Sequence, residues 1–268
     1  MSSSSTPPAP PPAEHSPSPS ATLTAAAPQP LTALQDASVT ALTLVPERTL
    51  PRRTSPRFVP GSTNLLDIGE HDGTRLLDVR TGDVIRELPE IYGSYPRFSA
   101  DGSLLAIFHF ADCSFYACKT NDLQIWDARS WTLVRTFSQK DWRFNAAVIS
   151  PDNKRVVTTS GEHSSRVWSI ESGQMLFSLV GHSAIVFGTA WSDDGTKIAT
   201  ASRDKSVRVW DAASGRAIAT LGPISDYSPA EVRFDAAGRQ LTACAQGHIQ
   251  TWDLETRGSI SDIVIENQ

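Results

Sequence analysis

Apolar and polar residues alternate with a period of two along short stretches of this chain, and turn-forming residues separate the stretches. Lys197-Ile198-Ala199-Thr200-Ala201 is one such stretch, and Arg208-Val209-Trp210 ends another. Successive side chains of a strand point to opposite faces, so this alternation predicts strands, where a period of 3.6 would predict helices. Asp101-Gly102, Pro151-Asp152-Asn153, Asp193-Asp194-Gly195 and Ala236-Ala237-Gly238 each lie between a large apolar residue (Phe98, Ile149, Trp191, Phe234) and the next alternating run. Turn signals placed this way predict hairpins.

The pattern repeats. Trp126, Trp168, Trp210 and Trp252 stand 42 residues apart. A polar residue lies two positions before each: Gln124, Arg166, Arg208 and Gln250. Asp127, Asp211 and Asp253 follow three of them, and Ser169 follows the other. Next come Thr81-Gly82-Asp83, Ser172-Gly173-Gln174 and Ser214-Gly215-Arg216, each leading into a short apolar strand. Glycine there supplies the positive φ of a tight hairpin turn. The first of these turns exposes an earlier unit in which Leu77-Asp78 stands for Trp-Asp and Phe58-Val59-Pro60-Gly61 for the upstream turn. Each unit is thus four short antiparallel strands in about 42 residues. One such sheet cannot cover both of its faces, but sheets packed around an axis can, so the fold class is all-β and the architecture a β-propeller.

Five units are expected, at about 58–90, 91–138, 139–180, 181–221 and 222–265. Ser38-Val39-Thr40-Ala41-Leu42-Thr43-Leu44 also reads as the first strand of a unit, but Leu44 lies too close to Phe58 for a whole unit between them. Three arrangements fit. The ring has five blades and an accessory strand; or that strand pairs with the last unit and latches the ring; or the chain is a shortened piece of a larger propeller, with an open edge prone to self-association. The expected divisions are a disordered tail over 1–35, an accessory or latch strand and linker over 36–57, and the propeller over 58–268. The second unit carries an expanded loop from Phe110 to Asp122.

Residues 181–211 resemble a WD40 repeat. Gly181-His182 opens the unit, Asp193-Asp194-Gly195 marks its first turn, and Ser202-Arg203-Asp204-Lys205-Ser206-Val207-Arg208-Val209-Trp210-Asp211 closes it. In degenerate form the resemblance covers roughly 58–265. It implies a structural tetrad of His182, Ser202, Asp204 and Trp210, running from the Trp Nε1–H to the hydroxyl, on to the His, and from the His to the Asp. Leaving one such buried group unpaired costs about 1–3 kcal/mol. By constant spacing the third unit puts Ser160 and Glu162 in these places. The fifth puts Cys244 and Gln246 there, so the network cannot form in the same way. Ser202, His182 and Asp204 have the composition of a hydrolase triad, but no nucleophile elbow surrounds Ser202 and Trp210 shares the network.

The resemblance also implies partner-contacting positions: Ile185, Phe187 and Arg203 in the fourth unit, Arg143 and Asn145 in the third, Tyr92 in the second and Ser228 in the fifth. Aromatic and Arg side chains are common interface anchors. The expected function is a non-catalytic scaffold that binds protein partners. The alternatives are a small-ligand or hydrolytic propeller enzyme, or a regulatory module of a longer multidomain protein. Enzymatic chemistry would need groups from several blades to converge, and His71, His163, His182 and His248 share no spacing that aims them at one point.

Composition narrows the partners. Of 268 residues 40% are hydrophobic, enough for a core, and the net charge of -5 argues against nucleic acid as a partner. Arg48, Arg52, Arg53 and Arg57 form the densest basic cluster, interrupted by Pro51 and Pro56, and read as a solvated loop. No apolar run approaches the roughly 20 residues that cross a bilayer, so no membrane association is expected. Cys113, Cys118 and Cys244 are no disulfide framework, although the first two could bridge in an oxidising compartment. With His109 and Asp112 they match no common zinc spacing, so neither metal nor cofactor is expected. Residues 1–30 are Ser, Pro, Ala and Thr with one charged side chain, Glu14, and lack signal-peptide features; a cytoplasmic protein is the expectation.

Overall fold

The computed structural model describes residues 56–69, 73–111, 120–138, 144–224, 231–245 and 247–264. The expected tail, the strand over Ser38–Leu44, and Cys113 and Cys118 lie outside them. Twenty strands form five four-stranded antiparallel sheets, each with its strands side by side in chain order. The described residues contain no helix. Blade 1 comprises β1 (Arg57–Phe58), β2 (Asn64–Ile68), β3 (Thr74–Asp78) and β4 (Val84–Leu88). Blade 2 comprises β5 (Ser94–Phe98), β6 (Leu104–Ala111), β7 (Thr120–Asp127) and β8 (Thr132–Ser138). Blade 3 holds β9 (Phe144–Ile149), β10 (Arg155–Ser160), β11 (Ser164–Ser169) and β12 (Met175–Val180). Blade 4 holds β13 (Val186–Trp191), β14 (Lys197–Ser202), β15 (Val207–Asp211) and β16 (Ala217–Leu221). Blade 5 holds β17 (Glu231–Phe234), β18 (Gln240–Ala245), β19 (His248–Asp253) and β20 (Ser259–Val264).

Side chains of the turns themselves close the first hairpin of each blade. The Ser192 hydroxyl donates to Asp194 Oδ1 (2.5 Å) and accepts from the Lys197 N–H (2.9 Å). Ser99 with Asp101 and Ser150 with Asp152 repeat the device. In blade 5 Asp235 replaces the serine and its carboxylate accepts from the Gln240 N–H directly (2.8 Å). The outer hairpin needs one left-handed residue. Gly82, Gly173 and Gly215 supply it with φ of 71–73°, while Trp131 and Arg257 occupy the same place in blades 2 and 5 at φ 59° and 58°.

The alternation of apolar residues becomes four cores, one between each pair of consecutive blades. Leu66, Ile68, Leu76 and Leu88 of blade 1 meet Leu105, Ile107 and Trp126 of blade 2. Phe108, Leu123, Ile125 and Phe137 meet Phe144, Ile149 and Val156. Val157, Val167 and Leu179 meet Trp191, Ile198 and Trp210. Ala199, Val207, Val209 and Leu221 meet Val232, Leu241 and Trp252. Blades 2, 3 and 4 therefore bury one face against the predecessor and the other against the successor. Polar contacts cross the same joints: Trp191 Nε1–H donates to the Val148 carbonyl (3.0 Å), and the Arg155 guanidinium lies over the Trp191 ring at 4.8 Å. Among the described residues none of these cores joins blade 5 to blade 1. The face of blade 5 that none of these cores covers is less apolar than its counterpart in blade 4. Thr242 and Thr251, joined hydroxyl to hydroxyl (3.0 Å), stand in blade 5 where blade 4 has Ala199 and Val209.

Gly215 tests the turn. A Cβ there would lie 2.7 Å from Phe177 Cδ2 of blade 3, at a φ that L side chains rarely adopt. Gly215→Ala is expected to destabilise by about 1–2 kcal/mol through left-handed strain, with the contact adding to it. Urea unfolding of both proteins measures the loss.

Candidate functional site

Blade 4 carries the most complete polar network. Trp210 Nε1–H donates to Thr200 Oγ1 (2.8 Å). Thr200 Oγ1 lies 2.8 Å from His182 Nε2, and His182 Nδ1 lies 2.8 Å from Asp204 Oδ2. A carboxylate only accepts, so Nδ1 carries the proton and Nε2 accepts from the Thr200 hydroxyl. The hydroxyl of this chain thus belongs to Thr200, which corrects the expectation for Ser202. Both residues sit on β14, two apart, hence on one face. Cross-strand register decides between them: Trp210 pairs with Ile198 and Arg208 with Thr200, which brings Thr200 under the indole nitrogen. Ser202 does a different task, donating to the Ala184 carbonyl (3.0 Å) and accepting from the Asp204 N–H (3.1 Å). No Ser-His-Asp triad assembles here. His182 Nε2 faces Thr200, whose side chain is 0% exposed and already bonded to Trp210.

The same register position in the other blades shows how far the network extends. In blade 3 Thr158 accepts from Trp168 Nε1–H (2.9 Å), so Thr158 rather than Ser160 holds the hydroxyl position, and Glu162 pairs with Arg166. In blade 2 the position is Ile107, which has no hydroxyl, and Trp126 donates to Gln124 Oε1 (3.0 Å) instead. In blade 1 it is Asp67, buried and paired with Arg75 at 2.5 Å. In blade 5 the second hairpin is one residue shorter. Leu241 pairs with Trp252 and Ala245 with His248, so Ala245, not Cys244, stands where Ser202 stands in blade 4. Gln246 lies outside the described residues.

Charges in blade 4 follow from these contacts. Burial lowers the His182 pKa below 6.5 and outweighs the opposing pull of Asp204. Protonating Nε2 would also turn an acceptor into a donor facing a hydroxyl that already accepts from Trp210. Burial raises the Asp204 pKa, but donation from the Ser206 hydroxyl, the Ser183 N–H and His182 prevails and holds it at about 2. The Ser192 hydroxyl and the Thr196 backbone hold Asp194 at about 2 as well.

The expected partner-contacting residues fall into two groups. Asn145 and Phe187 line one central cavity, together with inner-strand residues of all five blades. Asn145 Nδ2 donates to the Val186 carbonyl (3.1 Å) and ties blade 3 to blade 4 beside Phe187. Ile185 and Arg203 are joined through their backbones, the Arg203 N–H donating to the Ile185 carbonyl (2.9 Å). Tyr92 precedes β5 and meets His109 edge-on, with ring centroids 4.5 Å apart. Arg143 and Ser228 lie outside the described residues. Sequence reasoning missed other residues of the cavity wall: Arg57, Tyr95, Arg97, Glu231 and Arg233. A signal for them exists, since an Arg-Phe pair ends three inner strands (Arg57-Phe58, Arg97-Phe98, Arg233-Phe234). No group of three or more His, Cys, Asp and Glu side chains among the described residues is placed to hold a metal ion.

Thr200→Val keeps the shape and removes the hydroxyl, so it is expected to cost about 1–3 kcal/mol. His182→Ala made on top of it should cost less than it does alone, because both residues serve one chain of bonds. Denaturant unfolding of the four proteins measures the coupling, and additive losses would contradict the network. The pH dependence has two stages. Between 6.5 and the lowered His182 pKa the unfolded chain binds a proton that the folded one refuses, so stability should fall as pH drops below 6.5. Asp204 and Asp194 add a further loss as pH falls from 3.8 toward about 2. Unfolding midpoints followed against pH, with His182→Ala abolishing the first stage only, check both.

Comparison with known proteins agrees with this geometry. No curated protein matches the chain. Residues 173–211 match the family model described as WD domain, G-beta repeat. The matched stretch takes in β12 of blade 3 and then β13, β14 and β15 of blade 4, and so includes His182, Thr200, Asp204 and Trp210. With that match, and with five antiparallel sheets built alike, the chain fits the WD40 β-propeller family.

Proposed function

We propose that this chain is a non-catalytic scaffold whose propeller face around Tyr92, Asn145, Ile185, Phe187 and Arg203 receives a protein partner. WD40 repeats generally mediate protein–protein interactions, and the family is typically non-enzymatic. The convergence of Asn145 and Phe187 on one cavity, from neighbouring blades, carries this reading. Phe187 is half-buried yet belongs to none of the four cores, so its ring is not consumed by folding. Arg203 is exposed on the turn between β14 and β15, fastened by backbone bonds that leave its guanidinium outside. A stiff face with an aromatic and an arginine near its centre is what interface anchors require.

Affinity capture from the native source, with the parent chain and with Phe187→Ala/Arg203→Ala, tests the face. The double variant is expected to lose its partner while its melting temperature stays within about 2 °C of the parent, because surface substitutions away from the core cost little. Unchanged capture would overturn the assignment.

A further inference from the structure

Register places one residue of every inner strand at the same level of the central cavity. Arg57 pairs with Leu66, Arg97 with Ala106, Val148 with Val157, Ala190 with Ala199 and Arg233 with Thr242, and these are equivalent rungs of the five sheets. All five of these inner-strand residues line a cavity of about 540 Å³. Blades 3 and 4 contribute Val148 and Ala190 to this level. Blades 1, 2 and 5 contribute three guanidiniums.

Those cations are poorly compensated. Arg233 bonds Glu231, its neighbour on the same strand (2.9 Å). Arg57 reaches only the Pro96 carbonyl, at 3.4 Å, among the described residues. Arg97 is exposed and its side chain has no hydrogen-bond or ion-pair partner among them. The remaining carboxylate of the wall, Asp193, follows the end of β13 and so lies beyond this level. A cavity with this excess of positive charge, inside a chain of net charge -5, is a local reversal of sign. The Arg57 and Arg97 guanidiniums, which no described carboxylate neutralises, are stabilised by a bound anion, and their fork geometry suits carboxylates.

Nearer the starts of the inner strands than this level, the wall is aromatic. A bulge in β5 between Ser94 and Arg97 holds Tyr95 at φ 55°, 64% exposed and edge-on to Phe108. Phe187 lines the same space from blade 4.

Resting on the reading of the propeller as a partner-binding scaffold, we infer that the cavity takes an acidic, extended segment of a protein partner, with carboxylates on Arg57 and Arg97 beside the Glu231–Arg233 pair and the apolar parts of its side chains against Tyr95 and Phe187. A cavity of this size suits an extended peptide and is too small for a nucleic-acid duplex.

Fluorescence anisotropy with a labelled Glu-rich dodecapeptide tests this on the full chain. The peptide is expected to bind, to weaken as salt is raised, and to lose at least tenfold in affinity with Arg97→Ala or Arg57→Ala. Arg97→Lys should lose less than Arg97→Ala, and Arg129→Ala, on the turn after β7, should change nothing. The same peptide with every Glu replaced by Gln should not bind. Equal binding of the Gln peptide, undiminished binding to Arg97→Ala and Arg57→Ala, or tighter binding of a single-stranded oligonucleotide at the same residues would each overturn the inference. A chain that captures its partner through Phe187 and Arg203 yet ignores the acidic peptide loses this inference and keeps the scaffold reading.

Discussion

Mutual covering of sheet faces is the constraint on which the rest depends. A four-stranded sheet of 42 residues has two apolar faces and too little chain to cover either. Consecutive blades here solve this for each other: in blades 2 to 5 the indole of the third strand turns toward the blade before, and in blades 1 to 4 apolar positions on the opposite face turn toward the blade after. Burying one large apolar side chain contributes about 1.5–3 kcal/mol, and each joint buries six or more of them. The Trp210–Thr200–His182–Asp204 chain, at about 1–3 kcal/mol, is small beside that. This ordering explains why blades 1, 2 and 5 keep the same architecture with Asp67, Ile107 and Ala243 where blade 4 has Thr200. The polar network specifies how two loops of one blade meet; the cores make the blade.

Inner strands serve both the joints and the cavity. Val232 packs in the core shared with blade 4 and also lines the cavity, as do Ile149 of blade 3 and Trp191 of blade 4 from their own cores. At the level of Arg57, Arg97 and Arg233 the wall carries charge in three blades and small apolar residues in two. The turns at the other end of the inner strands from Ile185 and Arg203 are held by their own Ser and Asp side chains.

The fold was legible because its signals are local and repeated. Alternation marks each strand, Asp-Gly and Ser-Gly mark the turns, and the Trp spacing counts the sheets. What was not legible depends on register. Ser202 and Thr200 alternate on the same face of one strand, and only the cross-strand pairing with Trp210 shows which hydroxyl lies beneath the indole. Constant spacing likewise misplaced Cys244, since a hairpin shortened by one residue moves every side chain beyond it to the other face. Trp131 and Arg257 hide the turn that glycine announces in other blades; there the left-handed residue is held by its side chain, Trp131 against the core of blades 1 and 2 and Arg257 by donation to the Ile218 carbonyl. The arginine level of the cavity was present as three Arg-Phe pairs, but its meaning lies in the equivalence of rungs in different sheets, which spacing between tryptophans does not carry.

In blade 2 the second hairpin runs on past its sheet. Phe110 pairs with Asn121 and Ala111 with Thr120, two rungs beyond His109 and Asp122, while β5 and β8 have already ended. Two rungs of strand rise about 7 Å. The hairpin belongs to the same family of loops as the turn bearing Arg203, so it stands as a parapet at one sector of the face. The corresponding turns of blades 3, 4 and 5 close within their sheets, so the backbone rims this end of the cavity unevenly, and hairpin length alone sets the difference in height.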